Sequence, residues 1–98
     1  MTEDKTGAPT TVTAEPDRFT IAVEGSEVGK AEFLDRGDHR VFTHTEVDKN
    51  YEGRGLATIL LAQALQETRD AGLRIVPRCP MVAAYVSKHD EYQDIVVD

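Results

Sequence analysis

The chain has 98 residues, enough for one domain, and its 40% hydrophobic and 30% charged content suits a soluble globular protein. A formal net charge of −7 argues against a nucleic-acid partner or an anionic membrane surface, because both need a basic patch. The single cysteine, Cys79, excludes an internal disulfide, and no apolar run is long enough to span a bilayer, so we expect a cytoplasmic location.

Residues 1–16 are rich in Thr, Pro and acidic residues and contain almost no large apolar side chains. Such a segment buries too little apolar surface to offset the entropy lost on ordering it. We interpret it as a flexible N-terminal tail, and we assign the folded domain to residues 17–98.

The following thirty residues predict three strands. Residues 19–23 and 28–34 alternate between apolar and polar side chains, as half-buried strands do, and turn residues at 24–27 join them into a hairpin. Residues 40–47 are rich in valine, threonine and phenylalanine and predict a third strand.

A helix and a fourth strand come next. Apolar residues recur at helical spacing from Leu56 to Leu65, and polar residues fill most of the opposite face. Gly72 is suited to end this helix because glycine readily adopts the left-handed conformation of the C′ position. Residues 73–76 predict a short buried strand.

The remaining residues complete an α/β domain. Pro80 can begin a second helix that runs to about residue 89, because proline is favoured at the first helical position. Residues 92–97 end apolar and can dock on the sheet. The predicted order is β-β-β-α-β-α, an α/β fold in which an antiparallel meander precedes a parallel βαβ unit.

A glycine-rich turn, residues 52–57 (Glu-Gly-Arg-Gly-Leu-Ala), connects the third strand to the first helix. The first N–H groups of a helix have no internal partner and its dipole is positive there, so such a junction can bind an anion. Gly53 and Gly55 let the backbone approach a phosphate, and Arg54 can add a charge at the rim. The glycines alone fit a plain loop-to-helix turn equally well.

Residues 43–47 (Thr-His-Thr-Glu-Val) and 51–57 (Tyr-Glu-Gly-Arg-Gly-Leu-Ala) resemble the acetyl-CoA site of GCN5-related N-acetyltransferases. That family's pattern is Gln/Arg-x-x-Gly-x-Gly/Ala. Gly55 and Ala57 match the last two named positions, whereas Glu52 stands where glutamine or arginine is usual. This difference at Glu52 concerns a side chain, so the backbone amides of the loop are unaffected by it.

The resemblance is closest to a small, single-domain branch of that superfamily. Its members add a Pro-x-Cys-Pro segment and a His-x-Glu-Tyr ending, which correspond to residues 77–80 and 89–92 of this chain. The match runs from about residue 19 to residue 97, and it implies a minimal acetyltransferase fold whose βαβ unit carries the acetyl-CoA loop.

The implied function is transfer of an acetyl group from acetyl-CoA to an amine. The acceptor is unassigned and can be a protein, a polyamine or a small molecule, and we expect a monomer or a weak homodimer. No Cys-x-x-Cys or His-Glu-x-x-His pattern suggests a metal. Two alternatives stay open: a non-catalytic module that binds or senses acetyl-CoA, and a protein-interaction domain that keeps the fold without a ligand.

The resemblance also implies where acetyl-CoA binds. Its pyrophosphate is expected on the amides of residues 53–58, and its pantetheine arm along the edge of the third strand near residues 45–47. The expected cofactor-binding residues are Thr45, Val47, Gly53, Arg54, Gly55, Leu56, Ala57 and Thr58.

Three residues are catalytic candidates. Cys79 is expected near the thioester, where it can carry the acetyl group or protonate the leaving thiolate, or it can be a small buried apolar residue. His44 and Glu46 lie two apart and share a strand face unless a bulge intervenes, so either can be the general base, directly or through water. Both can instead be structural. Tyr85 and Tyr92 are further candidate proton donors, or else aromatic core.

Overall fold

A computed structural model describes residues 2–97; Met1 and Asp98, at the outer ends of the predicted tail and domain, lie outside this range. Within it, six strands form one sheet, accompanied by two α-helices and two short 3-10 helices. The strands are Thr2–Glu3 (β1), Pro9–Ala14 (β2), Arg18–Val23 (β3), Ser26–Arg36 (β4), His39–Val47 (β5) and Arg74–Pro77 (β6). The α-helices are Leu56–Asp70 (α1) and Pro80–Ser87 (α2), and the 3-10 helices are Lys49–Tyr51 and Asp90–Ile95.

The sheet follows chain order from β1 to β6. Neighbouring strands are antiparallel as far as β5, and β5 and β6 are parallel, with α1 connecting them. This arrangement confirms the predicted α/β class, with its antiparallel meander followed by a parallel βαβ unit.

The predicted flexible tail is wrong over residues 2–14. Strand β2 pairs with β3 from Thr10 opposite Val23 to Ala14 opposite Phe19, and β1 pairs with β2. Apolar burial, on which the prediction rested, is small here. The segment is ordered instead by backbone hydrogen bonds to β3, which would otherwise be the edge of the sheet.

The helix boundaries agree closely with the sequence. Helix α1 begins at Leu56 and is followed by Gly72 in the left-handed conformation, with a φ of 75°. Pro80 is the first residue of α2, which ends at Ser87, before the predicted residue 89. The C-terminal segment docks as expected, since the N–H of Val97 donates to the carbonyl of Ile75 at 2.8 Å.

One face of the sheet packs against α1 and forms the core. The fully buried large apolar side chains come from the sheet and from both α-helices: Phe19, Ile21, Phe42, Leu56, Leu60, Leu61, Leu65, Ile75 and Val82. In the described part of the chain, neither helix is both long enough and apolar enough to cross a bilayer.

A β-bulge in β5 determines which side chains reach each face. Glu32 of β4 lies opposite His44, but the next residue lies opposite Phe42, so Thr43 is an extra residue in β5. Phe42 and Thr45 consequently both face the core, and His44 points to the uncovered side.

Strand β5 also extends beyond its parallel partner. The last residue of β6, Pro77, pairs with Phe42, and the N–H of Cys79 donates to the Phe42 carbonyl at 2.9 Å. Among the described residues, no strand pairs with β5 on that side from residue 43 onward. The two strands separate there, beside the start of α1.

Candidate functional site

A groove of about 420 Å³ lies between the end of β5, the glycine-rich loop and the start of α2. Six of the eight predicted cofactor-binding residues line it: Val47, Gly53, Gly55, Leu56, Ala57 and Thr58. Four residues that were not predicted to bind the cofactor also line it: Glu46, Tyr51, Glu52 and Met81. The structure therefore brings most of the predicted binding residues to one surface.

The glycine loop has a backbone conformation that favours glycine. Gly53 and Gly55 both have a φ of 78°, in the left-handed region where a side chain is strained. Gly55 is the N-cap of α1, and no side chain caps the helix. The first N–H groups of α1 consequently lack an intrahelical partner and are suited to an anion.

Two predicted cofactor residues do not line the groove. Arg54 turns away and its Nε donates to Asp4 Oδ2 at 2.7 Å, while its guanidinium lies 4.9 Å from the centre of the Tyr51 ring. Thr45 is 6% exposed and points into the core. The bulge explains why Thr45 is buried, because it turns this side chain to the face of the sheet that packs against α1.

Cys79 is buried, 4% exposed, and is the N-cap of α2. Its thiol donates to the Thr45 hydroxyl at 3.5 Å. Burial by itself raises the pKa of the thiol, but the Thr45 hydroxyl and the amides of Val82 and Met81 outweigh burial, so the net pKa is lowered. Cys79 does not line the groove, whereas Met81 does.

His44 and Glu46 share one face of β5 beyond the bulge. Their nearest side-chain atoms, Nε2 and Oε2, are 3.6 Å apart, and Lys30 Nζ lies 3.3 Å from the other oxygen of Glu46. Lys30, and to a smaller extent His44, lowers the pKa of Glu46. A carboxylate with a lowered pKa is a weaker base but stays ionised, and it attracts a cation.

A second, polar groove of about 490 Å³ adjoins the first at Glu46 and Val47. Its charged lining residues are Arg18, Glu27, Lys30, Glu46, Asp48 and Lys49. The shared residues lie where β5 ends, so Glu46 faces both spaces. Two ligands, one bound in each groove, would therefore lie next to each other at the Glu46 carboxylate.

The two tyrosines named from the sequence lie beside the site rather than in it. Tyr85 lines a hollow of about 190 Å³ that shares Ala57, Thr58 and Met81 with the first groove. Its ring stacks on His89 with centroids 3.9 Å apart, and Tyr92 is buried next to it. Burial raises the pKa of both tyrosines, so their hydroxyls stay protonated at neutral pH.

Sequence reasoning missed Met81, Tyr51 and the contact between Asp4 and Arg54. Tyr51 adjoins the glycine loop in sequence, which is a usable signal. Asp4 is followed at the second position by Thr6, a spacing typical of an Asx turn, and this turn is present in the structure. The position of Met81 follows from packing between distant elements, and no local pattern indicates it.

Within residues 2–97, no group of three or more His, Cys, Asp or Glu side chains is placed to hold a metal ion. The polar groups at the site are backbone amides and lysine ammonium groups, which donate hydrogen bonds, and carboxylates, which accept them. These groups are suited to binding a phosphorylated ligand and a cationic partner side by side.

Comparison with known sequences shows the family to which the chain belongs. A sequence family described as GCN5-related N-acetyl-transferase matches residues 18–95, which span β3 to the last 3-10 helix. No curated protein sequence matches the chain.

Several solved structures share the fold. A GCN5-like protein from Staphylococcus aureus, determined by NMR in solution, is 21% identical with a TM-score of 0.70; the match covers 89% of this chain and 87% of that one. The ribosomal-protein-S18-alanine N-acetyltransferase of Escherichia coli is 20% identical with a TM-score of 0.60, over 81% of this chain and 54% of that one. A ribosomal-protein-alanine N-acetyltransferase from Brucella melitensis biovar Abortus 2308 is 19% identical with a TM-score of 0.54, over 86% and 64%. This chain therefore spans between about half and two-thirds of the length of the two ribosomal-protein acetyltransferases.

Proposed function

The chain belongs to the GCN5-related N-acetyltransferase family, and from this premise we propose that it transfers an acetyl group from acetyl-CoA to an amine. One observation carries the proposal. The glycine loop and the free end of β5 line the same groove, so the loop that precedes α1 and the Glu46 carboxylate border one ligand-sized space.

The site fits the phosphate end of acetyl-CoA. The uncapped amides of α1 face the groove wall, and no atom lies within 4 Å of the place where a Cβ on Gly53 would stand. A pyrophosphate can approach such a backbone closely and gain from the helix dipole. The bound cosubstrate supplies an activated acetyl thioester.

The chain's own residues then act on the acceptor. Glu46 is ionised at neutral pH and attracts a protonated amine into the polar groove. Nucleophilic attack needs the neutral amine. His44, which lies 3.6 Å from Glu46 but lines neither groove, is the proposed general base and would accept the proton through water. The nearby Lys30 keeps Glu46 ionised.

The acceptor is proposed to be a cationic amine bound at the surface. The polar groove is lined by three carboxylates, Glu27, Glu46 and Asp48, to which a cation can bind, and by three basic residues, Arg18, Lys30 and Lys49. The net charge of −7 adds a long-range attraction for cations. A lysine side chain, a protein amino terminus or a polyamine has the required chemistry.

The test is a transfer assay that detects released CoA thiol with acetyl-CoA and a panel of three acceptors: a polyamine, a lysine-containing peptide and a peptide with a free amino terminus. We expect release that depends on one acceptor class and that, at acceptor concentrations below the KM, is about fivefold slower in Glu46→Gln. Glu32→Gln is the matched control, since Glu32 contacts Lys30 at 3.9 Å but lines neither groove. Tight acetyl-CoA binding without transfer to any acceptor would favour the alternative, a binding or sensing module.

A further inference from the structure

The hairpin formed by β1 and β2 contacts the glycine loop directly. Asp4, between the two strands, has a side chain with no exposed surface. It accepts hydrogen bonds from the Thr6 hydroxyl at 2.6 Å, from the amides of Thr6 and Ala8 at 2.8 and 3.0 Å, and from Arg54 Nε at 2.7 Å. The N–H of Lys5 also donates to the Arg54 carbonyl at 3.0 Å. Side-chain and backbone bonds therefore join the hairpin to the loop.

These contacts occupy Arg54, the cation that the sequence places at the rim of the loop. A second guanidinium nitrogen donates to the Thr6 hydroxyl at 3.1 Å. The Thr6 hydroxyl, backbone amides and Arg54 lower the pKa of Asp4 to about 2, so the ion pair is intact at neutral pH. The charge of Arg54 is neutralised by Asp4 and is not offered to the groove.

Lys5 is a free cation in the same place. Its side chain lies across Gly55, with Cε and Cγ at 3.2 and 3.4 Å from where a Cβ on Gly55 would stand. Among the residues that the structure describes, no carboxylate lies within 4.0 Å of its ammonium. The hollow that Lys5 lines, of about 440 Å³, shares Gly55 and Thr58 with the proposed cofactor groove.

The charges around the loop make a free cation important. Glu52 lines the groove and Glu3 lines the adjoining hollow, and both carboxylates disfavour an anionic ligand. The helix dipole contributes only about half a positive charge. Lys5 supplies a full positive charge, at the end of the loop nearest to the α1 amides.

We propose that Lys5 binds a phosphate group of the CoA ligand and that Arg54, through Asp4, is the positioning residue that holds it there. This inference rests on the proposed function and adds to the site a segment that lies outside the family match at residues 18–95. The two cations of the region thus have different roles: Arg54 fixes the hairpin, and Lys5 contacts the ligand.

The experiment is calorimetric titration of CoA into the wild-type protein, Lys5→Gln, Lys5→Arg and Arg36→Gln, at low and moderate salt. Arg36 is an exposed cation at the far end of β4, so Arg36→Gln makes the same change in net charge away from the loop. We expect Lys5→Gln to weaken affinity about tenfold at low salt, as for a lost charge-assisted hydrogen bond. Lys5→Arg and Arg36→Gln should stay within about twofold of wild type.

Salt dependence separates ligand contact from a structural effect. If Lys5 contacts phosphate, Lys5→Gln should lose less affinity than wild type does as salt rises, because one screened attraction is missing. The assignment of Lys5 would be overturned if Lys5→Gln binds CoA more weakly than wild type by the same factor at both salt concentrations. It would also be overturned if Lys5→Gln binds CoA as tightly as wild type. Failure of the wild-type protein itself to bind CoA would overturn the proposed function as well.

The positioning role is tested by a double-mutant cycle. Asp4→Asn should release the hairpin, weaken CoA binding and speed amide hydrogen exchange over residues 53–57. Because Lys5 is then no longer held at the loop, adding Lys5→Gln to Asp4→Asn should cost little more affinity. If the double variant loses affinity by the product of the two single-variant factors, the two residues act independently. That result would contradict the positioning role, even if each single variant binds CoA weakly.

Discussion

The Cys79 thiol donates to the Thr45 hydroxyl at 3.5 Å, and both side chains lie in the core. The Thr45 hydroxyl and the amides at the start of α2 lower the pKa of this thiol, as expected for a nucleophile, yet the side chain is only 4% exposed and does not line the proposed cofactor groove. This contact favours a structural role for both residues. The acetyl group would then pass directly from acetyl-CoA to the amine acceptor.

We therefore expect no acetyl group on Cys79. Intact mass measured after incubation with acetyl-CoA should show no added acetyl mass. Cys79→Ala should keep most of the transfer rate and lose about 1 kcal/mol of stability, the usual cost of a small cavity. An acetyl adduct that forms in the wild-type protein and is absent from Cys79→Ala would contradict this account.

Glu46→Gln should act on the acceptor more than on the cosubstrate. The carboxylate faces the polar groove and stays ionised beside Lys30, so its removal should raise the KM for a cationic amine about fivefold, the effect of roughly 1 kcal/mol. The dissociation constant for acetyl-CoA should change less than twofold. If Glu46→Gln instead weakens the affinity for acetyl-CoA more than it raises the KM for the amine, Glu46 would be assigned to the cosubstrate and not to the acceptor.

Gly55→Val should abolish tight CoA binding. Its φ of 78° strains any branched residue, and a Cβ at this position would stand 3.2 Å from Lys5 Cε, so the Lys5 side chain would have to move. The added atoms are expected to block the approach of a phosphate to the α1 amides. We expect at least a tenfold loss of affinity, about 1.4 kcal/mol or more.

Gly37→Val is the control for backbone strain. Gly37 also has a positive φ, of 60°, and lies in the turn between β4 and β5, with no atom near its missing Cβ. It should lose stability by a similar backbone effect but keep wild-type affinity for CoA. Equal losses of affinity in the two valine variants would mean that strain, rather than a blocked cradle, is responsible.

The Asp4–Arg54 pair should make stability depend on acidity. The pKa of Asp4 is lowered from an ordinary 3.8 to about 2, so the stabilisation is present in full above the ordinary value and is lost as pH falls towards 2. The difference in melting temperature between wild type and Asp4→Asn should be constant at neutral pH and shrink below about pH 4.

A matched variant isolates this effect from general charge removal. Asp35→Asn breaks the pair between Asp35 and Arg40, whose nearest atoms are 2.8 Å apart but whose carboxylate is much more exposed. Exposed pairs contribute little to stability, so this variant should melt close to wild type throughout. A pH-independent difference for Asp4→Asn would show that the fold does not lower the pKa of this carboxylate.

Local patterns predicted the elements of residues 18–97 well. Helical spacing from Leu56, the proline at position 80 and the left-handed glycine at 72 each depend on a few neighbouring residues, and each boundary follows from them. The glycine loop was found in the same way, because a strand, two glycines and a helix adjoin in sequence.

The failures concern contacts between distant residues. The prediction for residues 1–16 counted apolar side chains, but β2 is ordered by backbone pairing with β3 and by the Asp4–Arg54 contact, 50 positions apart. The inward turn of Thr45 depends on a bulge that only the register against β4 determines. Neither cause has a signature in a short window of sequence.

The most direct test of the account is an amide chemical-shift map of the protein titrated with acetyl-CoA. We predict saturable shifts that are largest at residues 53–58 and at Glu46 and Val47, with smaller shifts at Lys5. Saturation without shifts at the glycine loop, or no saturable shift at high micromolar acetyl-CoA, would contradict the proposal that this groove binds the cosubstrate.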